Sequence, residues 1–274
     1  MNCVTFFYLA VLVLGAGDVA IAQSIRVATF NVNWGNRHGD QVLAAIAASN
    51  ADILCLQETT PQSERFLKQH LRDRYFEFHA VGHQGAYAAE RFAFASQLKP
   101  RDLTFHPPQA GLFGLYAATF SLGDRNIRVL SLHLTPFLIP RGSGLRDAMG
   151  ALMATEEKHR QEIEAVLAAV DQNVPTIIVG DFNSLASFEA PRRLIAAGFI
   201  DSFAAMHADA DTQPTWRWPT RPLPLALRID YIFHSQHFRT VSSEIIQQGG
   251  SDHFPVVSEL EFVPLSPRPE PHVE

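Results

Sequence analysis

The residues that could do chemistry in this sequence stand at the ends of apolar runs that are typical of buried β-strands. Four such runs end in residue types that bind metal ions or transfer protons, namely Asn31, Glu58, His133 and the pair Asp181 and Asn183. In α/β folds, ligands collect at the carboxyl ends of the strands. A single polar residue after a strand is commonly a turn or capping residue, but several strand ends of this kind together predict one shared polar pocket.

Two further acidic residues and a histidine follow later in the chain. Asp252 and His253 directly precede an apolar strand-like run, and Asp230 lies inside the apolar run of residues 229–233. Burying a carboxylate in such a run is costly unless the carboxylate is paired. A buried carboxylate also raises the basicity of an imidazole beside it and fixes the tautomer of the ring. We therefore predict that Asp230 orients His253 and that His253 is the general base.

Short strand-like runs alternate with helical segments between residues 24 and 263, and these elements must position the polar residues. About ten strand candidates are too many for one open sheet, so the pattern predicts an α/β fold of two packed sheets with outer helices. We expect helices over residues 41–49 with Asp40 as the cap, from Thr60 to Leu71, over 145–170 and over 191–197. No repeat or linker interrupts the region, which favours one domain over residues 23–263.

Composition and charge exclude several classes of protein. The chain has 274 residues, 47% of them hydrophobic, and can bury a sizeable core. Its formal net charge of −6 excludes a strongly basic surface that wraps nucleic acid, although nucleic acid can still be a substrate. Only two cysteines are present, so the disulfide framework of small secreted domains is excluded. Cys55 lies in an apolar run and is expected to be a buried, unreactive thiol.

Both ends of the sequence differ from the region between them. Residues 1–22 contain the apolar run 6–14 and a cleavage-site pattern of small residues at 20–22, which predicts a secretory signal peptide. That run is too short to span a bilayer, so we expect an exported protein, periplasmic or secreted, with no transmembrane segment. Residues 264–274 contain four prolines and are expected to form a poorly ordered tail.

The polar motifs, taken in chain order, resemble those of a known family. They are Thr-Phe-Asn, Gln-Glu, Ser-Leu-His-Leu, Gly-Asp-Phe-Asn-Ser, Arg-Ile-Asp-Tyr-Ile and Gly-Ser-Asp-His-Phe-Pro, and they end at residues 31, 58, 134, 184, 232 and 255. Over nearly all of residues 25–263 the sequence resembles the endonuclease/exonuclease/phosphatase superfamily, and within it the deoxyribonuclease I-like and sphingomyelinase-like branch. The resemblance implies a four-layer α/β sandwich of two packed mixed β-sheets flanked by helices, a divalent metal ion and hydrolysis of a phosphate ester.

The resemblance also implies roles for individual side chains. Residues 87–92 resemble the stretch in which deoxyribonuclease I supplies a carboxylate to a catalytic histidine, so Glu90 is expected to pair with His133. His133 would stabilise the phosphate or protonate the leaving group. Asp181 would orient the attacking water or the metal, and Asn183 would donate a hydrogen bond to a phosphate oxygen.

Hard oxygen ligands predict the type of metal ion. Asn31, Glu58 and Asp252 are the expected metal residues, with Asp252 supporting the metal or its water network. Carboxylate and amide oxygens suit Mg²⁺, with Mn²⁺ as the alternative and Ca²⁺ as a structural or auxiliary ion. Zinc would require more His or Cys ligands than the pattern offers.

The loop after His133 is the expected specificity element. Its apolar residues 137–139 either pack on the sheet or contact a lipid or a base, and Arg141 in the same loop is expected to bind substrate, as is Arg91. Trp216 and Trp218 form a second candidate rim.

The sequence favours an exported deoxyribonuclease I-like endonuclease that acts on a phosphodiester as a monomer. A lipid or small-molecule phosphoesterase of the sphingomyelinase or inositol-phosphatase kind is the alternative, because Thr60 stands where that nuclease has a DNA-contacting arginine. A non-catalytic phosphate-binding protein is disfavoured, because loss of at least one of the polar motif residues would then be expected.

Overall fold

The computed structural model describes residues 23–82, 89–137, 145–218 and 225–263. The expected signal peptide, the proline-rich tail and Arg141 lie outside these ranges. None of the helices in the described ranges is long and apolar enough to cross a membrane.

The described ranges contain fourteen strands, five α-helices and one short 3₁₀ helix at Ala210–Thr212. The strands are β1 (Ser24–Asn31), β2 (Ile53–Gln57), β3 (Glu77–Gly82), β4 (Arg91–Ser96), β5 (Pro100–His106), β6 (Leu115–Leu122), β7 (Arg125–His133), β8 (Thr176–Asp181), β9 (Ile200–Asp201), β10 (Trp216–Trp218), β11 (Leu225–Leu227), β12 (Asp230–His234), β13 (Phe238–Ile245) and β14 (Val256–Phe262). The helices are α1 (Gly39–Ser49), α2 (Pro61–Leu71), α3 (Leu145–Ala168), α4 (Glu189–Ala196) and α5 (Ser202–Met206).

Twelve of these strands form two six-stranded mixed sheets. The first sheet has the order β13-β14-β1-β2-β4-β3, the second has the order β5-β6-β7-β8-β12-β9, and β10 pairs with β11 apart from both. Each sheet has one parallel pair near its centre, β1 with β2 in the first and β7 with β8 in the second. The carboxyl ends of each parallel pair therefore lie at the same edge of their sheet.

Three apolar clusters fill the spaces between the layers. Side chains of both sheets, such as Phe94 and Phe120, interdigitate in the central cluster. A second cluster, which includes Leu67, joins the first sheet to α1 and α2, and a third, which includes Leu194, joins the second sheet to α3 and α4. The four-layer sandwich expected from the sequence is thereby confirmed.

A buried polar contact joins the two sheets beside the strand ends. Thr29 Oγ1 donates to Gln57 Oε1 at 3.2 Å, and Gln57 Nε2 donates across the interface to Ser131 Oγ on β7 at 3.1 Å. All three side chains are fully buried. Because a buried polar group left without its partner costs about 1–3 kcal/mol, this contact favours one position of β2 relative to β7.

Local sequence signals differ in how well they anticipate the elements. Thr60 caps α2 as expected, and its Oγ1 accepts from the Ser63 amide at 3.1 Å. The expected Asp40 cap is wrong, because α1 begins at Gly39 and His38 occupies the cap position without a side-chain hydrogen bond. The sequence pattern does not predict β5, an edge strand whose half-exposed residues give no clear apolar alternation. Cys55 is buried as expected, and burial raises the pKa of its thiol.

We expect the substitution Gly180→Ala to destabilise the fold, because Gly180 has a φ of +145° and a Cβ there would lie 1.9 Å from the Leu132 carbonyl oxygen. That oxygen belongs to the adjacent central strand and cannot turn aside, so the free energy of unfolding should fall by about 1–3 kcal/mol or more. Urea denaturation measures the change. The control is Gly150→Ala on α3, where a Cβ would meet nothing within 4 Å. This substitution should raise the free energy of unfolding by about 0.5–1 kcal/mol, because alanine favours the helix over glycine. Equal effects of the two substitutions would contradict this reading of β8.

Candidate active site

Asp181 is the centre of the polar cluster at the strand ends, and it is 1% exposed. Its Oδ2 accepts a hydrogen bond from Asn31 Nδ2 at 3.0 Å and lies 3.5 Å from His133 Nε2 and 3.7 Å from His253 Nε2. Its Oδ1 accepts from the Asn183 amide at 2.9 Å. The pocket expected from the sequence therefore has one carboxylate that contacts residues from three other segments of the chain.

Strand register explains why these residues meet. His133 is the partner of Asp181 in the parallel pair β7 and β8, and Asp230 is the partner of Asp181 in the antiparallel pair β8 and β12. The loop before β14 reaches the same place, because Ser251 Oγ donates to the Asn31 carbonyl oxygen at 2.8 Å and accepts from the His253 amide at 3.1 Å. The site thus lies where the strand ends of both sheets face each other.

His253 and Asp230 form the pair that the sequence predicts. Nδ1 of His253 lies 3.0 Å and 3.1 Å from the two carboxylate oxygens of Asp230, and both side chains are buried. The hydroxyl of Thr215 accepts hydrogen bonds from the Asp230 and Ile229 amides, which holds the start of β12 in place. Burial lowers the pKa of His253, but the charges of Asp230 and Asp181 outweigh it and raise that pKa to about 10.

His133 has the opposite electrostatic character. Burial and the nearby charge of His253 lower its pKa to about 3, so its ring is neutral. The ring stacks on Phe113 with centroids 4.0 Å apart and an interplanar angle of 12°. Sequence reasoning missed Phe113, because it lies in a loop between β5 and β6 and no local motif marks it.

The expected pairing of the His133 ring with the Glu90 carboxylate stays a prediction. Nε2 of His133 lies near Asp181 and 3.8 Å from Glu58 Oε1. The backbone of Ala89, the residue before Glu90, also acts on the ring and favours its protonated form. Glu90 itself is buried.

Glu58 is held at the end of β2 in a left-handed backbone conformation with a φ of +57°. Its Oε1 accepts from Asn31 Nδ2 at 2.9 Å and its Oε2 accepts from the Trp34 amide at 3.2 Å. Burial raises the pKa of Glu58, and burial also raises the pKa of Asp181 to about 7. A positive φ in a residue other than glycine costs about 1–3 kcal/mol and clusters at functional sites.

The donor set of this cluster fits a divalent cation. Glu58, His133 and Asp181 each offer one ligand atom, and these three atoms lie within 4.8 Å of one another. A buried carboxylate beside a partly buried one, both with raised pKa values, is the kind of site at which a hard cation replaces protons. The expected ligand Asn31 instead presents its amide nitrogen to both carboxylates, and its Oδ1 accepts from the Asn33 amide at 3.0 Å. Direct coordination by Asn31 would require its amide to turn over and remains a prediction.

Asp252 lies beside the cluster and accepts hydrogen bonds from three side chains, one of them its neighbour Ser251. Its Oδ1 accepts from Asn33 Nδ2 at 2.7 Å, and its Oδ2 accepts from Trp216 Nε1 at 3.1 Å. Its charge also raises the pKa of Glu58. These contacts agree with a supporting role for Asp252. Sequence reasoning missed Asn33, although its spacing of two residues from Asn31 is visible in the sequence. In the structure Asn33 has a left-handed backbone conformation with a φ of +58°.

Of the two arginines expected to bind substrate, the structure describes only Arg91. Arg91 Nε and Nη2 donate to the two carboxylate oxygens of Glu64 at 2.7 Å and 2.9 Å. This bidentate pair ties β4 to α2, and contact of Arg91 with substrate stays a prediction. Arg141 lies outside the described residues.

A groove of about 830 Å³ opens beside the site at Asn183. We call it the apolar groove, and its described lining consists of Pro136, Phe137, Met149, Leu152, Asn183, Leu185, Phe188, Trp216, Trp218, Leu225, Leu227 and Ile229. Trp216 stacks on Trp218 with centroids 5.9 Å apart, and Trp218 is half-exposed. Phe137 makes edge contacts with His159 and Phe188. Pro136 and Phe137, at the described start of the loop after His133, and the rim of two tryptophans therefore line one groove. Residues 138 and 139 of that loop lie outside the described residues.

Comparison with known proteins gives a consistent picture. A family model described as the Endonuclease/Exonuclease/phosphatase family matches residues 28–253. A curated protein from Streptococcus pneumoniae serotype 4, named exodeoxyribonuclease, is 25% identical over 261 residues, which cover 81% of this chain and 90% of that protein.

Solved structures show the same fold. The human Nocturnin catalytic domain with a bound sulfate anion has a TM-score of 0.64 at 18% identity, over 89% of this chain and 96% of that chain. D. rerio TDP2 complexed with single-strand DNA product has a TM-score of 0.66 at 15% identity, over 86% of this chain and 98% of that chain. Since the family model spans most of the sequence, this chain belongs to the endonuclease/exonuclease/phosphatase family.

Proposed function

We propose that this protein is an exported, Mg²⁺-dependent phosphodiesterase that works by in-line attack of water, and that it is a deoxyribonuclease I-like endonuclease. The observation that carries the proposal is the convergence of the His253–Asp230 pair, Asp181 and Glu58 in one polar cluster at the strand ends. Together with its neighbours His133 and Asn183, such a cluster can supply charge against the phosphate, a base for the attacking water and hydrogen-bond donors for the phosphate oxygens.

His253 is the proposed general base. Asp230 occupies Nδ1, so the nitrogen that takes the proton from the attacking water is Nε2, 3.7 Å from Asp181 Oδ2. Asp181 orients that water. Glu58 and Asp181 would hold Mg²⁺, which would supply positive charge against the phosphate. The same ion would offset the charge of Asp181, one of the carboxylates that raise the pKa of His253, and would thereby lower that pKa so that Nε2 can accept the proton.

His133 and Asn183 are the proposed phosphate-binding residues. The lowered pKa of His133 favours hydrogen bonding by a neutral ring over proton transfer from an imidazolium. The side-chain nitrogen Nδ2 of Asn183 donates one hydrogen to the Leu134 carbonyl oxygen at 3.0 Å and has a second hydrogen for a phosphate oxygen.

Several observations bear on the substrate. The curated relative named exodeoxyribonuclease and the TDP2 structure with its DNA product support a nuclease. Because of the name of the first, exonuclease activity should be assayed beside endonuclease activity. A lipid or small-molecule phosphoesterase is the second candidate, and the apolar character of the groove favours it. Export is supported by the apolar run within residues 1–22, and fractionation of cells that express the full chain tests it.

We expect Asp181→Ala and His253→Ala each to lower kcat for magnesium-dependent hydrolysis of bis-p-nitrophenyl phosphate by at least about 100-fold. The reason is that each substitution removes a positioned group that handles the attacking water. Circular dichroism verifies that each variant is folded, and Glu157→Ala on the exposed side of α3 is the control. Near-wild-type turnover in either variant would refute the assigned roles.

Addition of Mn²⁺ or Mg²⁺ should raise the Tm of the wild-type protein, because a ligand that binds only the native state stabilises that state. Glu58→Gln should abolish most of this rise, since it removes one of the two carboxylate charges from the cluster. Differential scanning fluorimetry against metal concentration measures the effect, with Glu157→Gln as the control. A rise in Tm that is as large in Glu58→Gln as in the wild type would exclude Glu58 as a ligand.

Trp218→Ala tests the substrate class. If bases stack on the rim of the groove, KM for single-stranded DNA should rise about tenfold, in line with about 1–3 kcal/mol per stacked base, while turnover of bis-p-nitrophenyl phosphate stays unchanged. The assay runs in parallel with plasmid DNA, RNA, sphingomyelin vesicles and inositol phosphates. If the protein hydrolyses sphingomyelin and none of the other substrates, and if Trp218→Ala abolishes this activity, then the nuclease proposal is refuted and the lipid phosphoesterase takes its place.

A further inference from the structure

Helix α3 carries two buried titratable side chains that the proposed chemistry does not use. Glu162 is 7% exposed and His159 is fully buried. They lie one helical turn apart, so both face the second sheet. Burying such groups on a helix is unfavourable unless their hydrogen bonds are satisfied, which makes their partners informative.

Glu162 binds the loop that leaves the active site. Its Oε1 accepts from the Thr135 amide at 3.2 Å and from the Thr135 hydroxyl at 2.9 Å. Thr135 follows His133 by two residues, and the intervening Leu134 is bound at both backbone groups: its amide donates to the Asp181 carbonyl oxygen and its carbonyl oxygen accepts from Asn183. The Glu162 carboxylate therefore anchors the backbone that carries His133.

His159 completes the anchor at Thr135. Its Nε2 donates to the Thr135 carbonyl oxygen at 2.7 Å, so both backbone groups of Thr135 are bound by side chains of α3. Phe137, a lining residue of the apolar groove, packs its ring edge-on against His159 with centroids 5.7 Å apart.

Glu162 also meets the loop that carries Phe113. A hydrogen bond from the Leu112 amide is among the influences that lower the pKa of Glu162, although burial dominates and raises that pKa to about 7. Gly111 lies so close that a Cβ there would be 1.7 Å from Glu162 Oε1 and 2.6 Å from Thr135 Oγ1. The next residue but one, Phe113, stacks on His133.

We propose that Glu162, together with His159, is a positioning residue for His133. One carboxylate holds the strand end that carries the imidazole and also the loop whose phenyl ring stacks on it, so it sets the position of His133 from two sides. Glu162 touches neither the substrate nor the other groups of the cluster and acts through His133. This inference rests on the proposed function only in assigning His133 a role in turnover.

The first test is kinetic. Glu162→Leu keeps the size of the side chain and removes the acceptor, and we expect kcat for bis-p-nitrophenyl phosphate to fall at least about tenfold with KM nearly unchanged, because small misplacements of catalytic groups have effects of up to about 100-fold. Glu162→Gln keeps an acceptor oxygen and should restore most of the activity. Glu157→Leu and Glu157→Gln, on the exposed face of the same helix, are the matched controls.

A double-mutant cycle separates positioning from general destabilisation. If Glu162 acts through His133, then Glu162→Leu should cause little further loss in a His133→Ala background, because effects that share one route do not multiply. Independent, multiplying losses would overturn the proposal, and so would wild-type kcat in a folded Glu162→Leu variant. If Glu162→Leu does not fold, Thr135→Val removes one donor to the same carboxylate with no change of shape and takes its place.

A second readout does not need activity. In the ¹⁵N-labelled protein, the ring resonances of His133, assigned by comparison with His133→Ala, should shift in Glu162→Leu and stay in place in Glu157→Leu. Unshifted His133 resonances in Glu162→Leu would also overturn the proposal. A wild-type protein that hydrolyses none of the substrates in the panel would count against the proposed function alone, since this measurement still decides the positioning role.

Discussion

A carboxylate buried where the ends of two sheets face each other is the constraint on which the rest of this structure depends. Asp181 is almost fully buried, and it contacts Asn31 of the first sheet, His133 of its own sheet, and His253 from the loop before β14. Burying an isolated charge in such a place would cost several kcal/mol of desolvation free energy, roughly the penalty known for buried ions. The fold therefore surrounds it with donors, and the same donors make up the candidate active site.

The two histidines of the cluster differ because of their other neighbours. His253 has a second carboxylate, Asp230, at Nδ1, and the two negative charges outweigh burial and keep it protonated. His133 has Phe113 stacked on its face, and burial together with the charge of His253 keeps it neutral. The surroundings of the two rings therefore shift their pKa values in opposite directions, which allows the two rings to take different tasks at the same pH.

Rigid elements hold this arrangement from outside. Thr215 binds the backbone at Asp230, and Glu162 binds the backbone beyond His133. Both supports use a side chain to satisfy backbone groups at the end of a strand, where the ladder of the sheet provides no further partners. Asn183 lines the apolar groove next to the supported loop, so the groove and the polar cluster share one scaffold.

The sequence by itself indicated an α/β fold of two packed sheets and the main residues of the cluster, because apolar runs that end in polar residues mark strand ends locally. The family and its four-layer sandwich followed from the resemblance of the polar motifs, taken in chain order. It also indicated the pair of Asp230 and His253, since a carboxylate inside an apolar run demands a partner. Only the tertiary structure decided which atoms meet: that Arg91 pairs with Glu64, that Phe113 stacks on His133, and that Glu162 reaches Thr135 from the adjacent helical layer. These contacts join segments far apart in the chain, and their geometry follows from how sheets and helices pack, a relation that no local pattern encodes.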